Sequence, residues 1–124
     1  MAIAEPAKAS GRRAAVYQQG ELAGYVEATG DGGWRFTYRD EYAGQAVSLT
    51  MPVRQEAYSF ASFPAVFEGL LPEGPQLEAL LRKHKIDRTD AFRQLVTVGG
   101  DLVGSLTVVE AGASESDEAA TPER

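Results

Sequence analysis

The chain is 124 residues long, 44% hydrophobic, without cysteine, and carries a net charge of −6. That length suits one domain with a modest core, and the missing cysteines exclude disulfides and thiolate metal sites and fit a reducing cytoplasm. The segment Glu110 to Arg124 holds five acids and one base, which leaves only −2 for the other 109 residues. A body so close to neutral lacks the basic face that phosphate contacts require, so no direct nucleic-acid contact is expected. No apolar run reaches about 18 residues, so no transmembrane helix is expected, and MAIAEPAKASGRR lacks the apolar stretch of a secretory signal.

Residues 1–10 and 111–124 are rich in Ala, Ser, Glu and Pro and are expected to be disordered, since they bury too little apolar surface to offset ordering. The folded body is expected over 11–110. Its first half has strand character. Arg13 to Gln18 leads into a turn at Gln19-Gly20, and Glu21 to Ala28 follows. TGDGG at 29–33 supplies hairpin residues that tolerate positive φ. Trp34 to Arg39 alternates, with Trp34, Phe36 and Tyr38 on one face. Ala46 to Pro52 alternates in the same way and is predicted as a further strand.

The second half changes period. Ser62 is a candidate N-cap for a helix with Phe63, Val66, Phe67, Leu70 and Leu71 along one stripe. Pro72 ends it, and Gly74-Pro75 restarts a helix carrying Leu77, Leu80 and Leu81, with Arg82, Lys83 and Lys85 in the last turn. Asp87 or Thr89 is expected to cap a third helix bearing Phe92, Leu95 and Val96. Leu102 to Val109 reads as a final strand returning to the sheet. The predicted fold is α+β: a small antiparallel sheet, a meander plus the returning C-terminal strand, packed with about three helices.

Chemistry is sparse. In VGGDLVGSL, Gly99 and Gly104 are spaced as in a phosphate loop, but Ser105 stands where lysine is required. A phosphate loop follows a strand and opens a helix; here a helix precedes and a strand follows, so the segment is read as a turn, with Gly104 at a bulge or close approach. His84 is the only histidine, and its place at a helix C-terminus makes it a cap or surface residue. Glu68, Glu73 and Glu78 read as a solvated face, and Trp34 as a core anchor. No catalytic residue, metal site or cofactor is assigned. AYSFASFPAVF places four aromatics in eleven positions. Part of that run is expected to face a partner, with Phe60, Phe63, Phe67, Leu70 and Leu71 as contacts and Glu73 at the rim.

Three segments carry a family resemblance: Ser48-Leu49-Thr50-Met51-Pro52, Phe67-Glu68-Gly69-Leu70-Leu71-Pro72-Glu73, and Phe92 through Leu106. They are similar to the signatures of the first N-terminal subdomain of HipA-type serine/threonine kinases, the toxins of HipBA systems. Departures are Gly69 for a common asparagine, Gly100 for a common arginine and Ser105 for alanine. The resemblance covers about Arg13 to Glu110 and does not extend to the nucleotide-binding and catalytic groups, which lie downstream in that family, so kinase activity is not carried over. With Met1 at the start and an acidic tail at the end, the chain is expected to be a complete small protein. It resembles the HipS-type antitoxins of tripartite HipBST systems, in which a small protein supplies this subdomain to a kinase, HipT, that lacks it. The resemblance implies a non-catalytic cytoplasmic antitoxin that binds and inhibits a HipT-like kinase, with a HipB-like DNA-binding protein in a ternary complex. The alternative is a docking or regulatory module, a detached N-terminal subdomain, without inhibitory action. A small-molecule enzyme would require a deep polar pocket around His84 or the glutamates.

Overall fold

In a computed structural model, residues 12–101 and 105–111 are described; the expectations for residues 1–10, for the tail from 112 on and for Gly104 lie outside them. Five strands form one antiparallel sheet: β1 (Arg13–Gln18), β2 (Glu21–Ala28), β3 (Trp34–Tyr38), β4 (Tyr58–Phe60) and β5 (Leu106–Glu110), in the order β4-β3-β2-β1-β5. Three helices complete an α+β fold: α1 (Ala65–Glu68), α2 (Gly74–His84) and α3 (Ala91–Val98).

The first three strands lie where the sequence places them, and β3 follows the predicted alternation. Gln19 and Gly20 both take positive φ (52° and 84°), as a two-residue hairpin twisted with its strands requires. Val26 pairs with Phe36 and Ala28 with Trp34, so the large side chains of β2 and β3 share a face. Trp34, Phe36 and Tyr38 are buried there while Arg35 points to solvent. The helices cover that face through aromatic contacts. Phe67 of α1 lies 5.9 Å from Phe36, and Phe92 of α3 stacks on Trp34 at 5.4 Å, tilted by 24°. Phe36, Phe67, Phe92, Leu95, Val16, Val26 and Val108 are fully buried and form the centre of the core.

Three local expectations are overturned. Ala46 to Pro52 is not a strand: it is a tight turn with a single bridge between Ser48 and Met51. The Tyr38 hydroxyl accepts from the Val47 amide (3.0 Å) and donates to the Met51 carbonyl, occupying two backbone groups a ladder would have used. Val47 and Met51 are buried, whereas Leu49 is 100% exposed at the tip. The edge of the sheet is taken by the three residues of β4, whose register sets Trp34 against Phe60 and Phe36 against Tyr58.

The first helix is shorter than the stripe of apolar residues implies. Pro64, not Ser62, occupies the N-cap, because proline disfavours the α conformation for the residue before it and so excludes Phe63. Beyond Glu68 the chain continues through single turns, with the Leu70 amide on the Phe67 carbonyl (3.0 Å) and the Leu71 amide on the Glu68 carbonyl (3.1 Å). The third helix is capped by Asp90, whose carboxylate accepts from the Arg93 amide at 3.0 Å. Asp87 instead closes a local turn onto the Thr89 amide at 2.8 Å.

Between α3 and β5 the chain makes a short 3-10 turn, Gly99–Asp101. A close backbone approach is found at Gly99, where a Cβ would collide with the Val108 carbonyl oxygen. That contact closes part of the free edge of β5. The order, helix then strand, is that of a turn and not of a phosphate loop.

Candidate partner-binding site

Partly open apolar residues from β4, α1 and the connection to α2 pack against the core. Phe60 is half-buried at the sheet edge, beside an open depression of about 610 Å³ also lined by Thr29, Asp31, Arg35 and Ser59. The Asp31 carboxyl is held below its usual range by the Thr29 hydroxyl and the Gly33 amide. Phe63, half-buried, sets its edge against Trp34 at 5.0 Å and 87°, which continues an aromatic series to Phe92. Leu70 and Leu71 are likewise half-buried and packed against the core. Glu73 is exposed at the N-cap of α2, where its side chain caps nothing.

The structure thus leaves Phe60, Phe63, Leu70 and Leu71 half-buried against the core and Glu73 exposed. It separates Phe67 from them. Phe67 is 0% exposed, so it presents no surface to a partner. One apolar residue was not anticipated by the sequence: Leu49, which reads as one position of an alternating strand until the turn around it is seen.

A second cavity, about 310 Å³, lies where the α1–α2 connection meets the approach to α3; its walls include Leu71, Pro72, Leu77 and Ala91. Gln94 also lines it, only 3% exposed, donating its amide nitrogen to the carbonyls of Asp87 (3.3 Å) and Arg88 (3.0 Å). Of the three glutamates, Glu78 is committed to Arg88 through two contacts of 2.8 Å, and the hydrogen bond to Arg88 holds its carboxyl below the usual range. His84 is exposed in the last turn of α2. Among the described residues, no three His, Asp or Glu side chains are grouped to hold a metal ion, and no helix is long and apolar enough to cross a membrane.

These features define a small α+β domain: an antiparallel sheet and three helices around an aromatic core, with half-buried apolar side chains packed against it. The family of the HipA N-terminal domain matches residues 14–109, and the chain belongs to that family. The N-terminal domain of HipA toxin superposes with a TM-score of 0.63 at 27% identity, covering 80% of this chain and 92% of that one. An uncharacterized protein of Haemophilus influenzae is 28% identical over 99 residues, which span 80% of this chain and 92% of its own. The fold is therefore that of a module related to toxin–antitoxin systems.

Proposed function

We propose that this protein is a non-catalytic antitoxin that binds a HipT-type serine/threonine kinase lacking this domain and holds it inactive, in a complex that also contains a HipB-like DNA-binding protein. The supporting observation is the pairing of a HipA N-terminal domain fold over residues 14–109 with half-buried apolar side chains packed against its core. Phe60, Phe63, Leu70 and Leu71 supply apolar contact area, and Glu73 lies at the rim. Phe67 fixes the backbone that presents them. Residues of this kind, anchored on one side and open on the other, are the usual carriers of interface energy. The residues contribute shape and no reacting group, so inhibition would come from occupying the kinase or opposing its closure. Body boundaries at 11–110 and a cytoplasmic location belong to the same proposal.

The test is to purify the chain with the kinase encoded beside it and measure kinase autophosphorylation. Inhibition at stoichiometric protein is the expected result, relieved by Phe63→Asp or Leu71→Asp. Binding with undiminished autophosphorylation would assign the docking role without inhibition, and no binding would end both readings.

A further inference from the structure

The cavity beside α3 has a one-sided chemistry. Its walls are apolar side chains of Leu71, Pro72, Leu77 and Ala91. The lining also includes Glu68 and Glu73, both exposed and, among the described residues, without an ion-pair partner. The one cation in the lining, Arg88, is turned onto Glu78 by two contacts of 2.8 Å. Gln94 is only 3% exposed, and its amide nitrogen is spent on two carbonyls. Its side-chain oxygen accepts no hydrogen bond from any described residue, so the polar end available to the cavity is an acceptor. Thr89, also in the lining, donates its hydroxyl to Asp87 at 2.7 Å. The open polar groups thus add up to acceptors, beside the apolar side chains of the lining.

We infer that this cavity receives an arginine or lysine side chain of the partner kinase, the aliphatic stem lying against Leu71 and Leu77 and the cationic head reaching Glu68, Glu73 and the Gln94 oxygen. A donor-only cation on an apolar stem matches both halves of the site, and the uncompensated carboxylates make the match electrostatic as well as steric. Arginine fits better, because its planar fork can engage a carboxylate and an amide oxygen together. The inference rests on the kinase-binding reading above and adds the chemistry of the residue the partner brings.

The experiment measures the Kd of the kinase complex at several salt concentrations for the wild type, Glu68→Gln/Glu73→Gln and Glu68→Lys/Glu73→Lys. Thermal melts establish that each variant is folded. Charge reversal is expected to weaken binding about tenfold or more and to flatten the salt dependence, with the glutamine pair between. In parallel, a capped Gly-Arg-Gly peptide is titrated while the Gln94 side-chain amide and Leu71 methyl signals are followed by NMR. Shifts are expected in the wild type and not in the reversed variant. Unchanged Kd and salt slope in the variants would overturn the inference while leaving kinase binding intact. Wild-type protein that responds to the peptide but binds no kinase would end the kinase reading and keep a cation pocket. Gln94 signals that move on Lys8→Ala in the free protein would assign the cavity to this chain's own N-terminal segment and overturn the partner assignment.

Discussion

Phe67 and Phe60 come from one aromatic run, and the fold treats them as opposites. Phe67 is sealed between α1 and the sheet, whereas Phe60 lies half-open at the edge strand. The same division separates the covered face of the sheet, where Trp34, Phe36, Tyr38, Phe92 and Leu95 interlock, from the half-buried Phe63, Leu70 and Leu71. Hydrophobicity alone does not tell these populations apart; what does is whether a second layer lies over the side chain. Residues of the first group hold the domain together. Those of the second are free to serve an encounter, and the two roles are separable by mutation.

The largest expected effect lies wholly on the structural side. Gly99→Ala would force a methyl group into the Val108 carbonyl, so soluble protein with a cooperative melt is not expected; a normal melt would mean that α3 and β5 can move apart freely. Phe67→Ala follows, at about 3–5 kcal/mol in a denaturant titration, against about 1 kcal/mol for Phe60→Ala. In kinase binding the order is expected to invert among folded variants, with Phe60→Ala costing about 2 kcal/mol. Equal stability losses for the two would erase the division. Tyr38→Phe removes the hydroxyl that joins Val47 and Met51 and leaves buried backbone groups unpaired, at about 2 kcal/mol. The turn carrying Leu49 is then expected to lose amide-exchange protection before the sheet does.

The smallest effect is pH-dependent. Arg93 binds both oxygens of Glu110 (2.9 and 3.1 Å), and that hydrogen-bonded pairing holds the Glu110 carboxyl below its usual range. A carboxyl with a lowered pKa in the fold stabilises above the unfolded value, near 4.3, and that contribution is lost as pH falls through the folded value. Both side chains are more than one-third exposed, so the contribution is at most about 0.5 kcal/mol. Melts of wild type and Glu110→Gln are expected to differ at pH 7 and to converge toward pH 3.

Legibility in the sequence follows the same division. Strand β3 was readable because burial on one face writes a period of two into Trp34, Phe36 and Tyr38, and β1 and β2 were readable from the turn residues that bound them. β4 was not, since Tyr58-Ser59-Phe60 is too short to show a period and is recognisable only by its register against β3. The alternation at 46–52 misled because Val47 and Met51 are buried from a turn as well as they would be from a strand. Pro64 did hold the correct start of α1, through the restriction it places on Phe63. Choosing Asp90 over Asp87 and Thr89 as a cap needed geometry, because all three can accept from a backbone amide. At the candidate site, the aromatic run was visible, but the sorting of Phe67 from its neighbours and the place of Gln94 in a cavity lining arise from contacts between elements distant in the chain.

The Ala111 amide donates to the Arg13 carbonyl at 2.8 Å, which makes the first and last strands of the sheet direct neighbours. The two ends of the body therefore leave at one point. A short peptide joining them, with new termini cut at the Gln19-Gly20 hairpin or at Gly32, should yield a circular permutant that keeps every strand pairing. A domain with this wiring is geometrically portable: it can hang from another chain by either end, or sit inserted in a loop, without its sheet being redrawn.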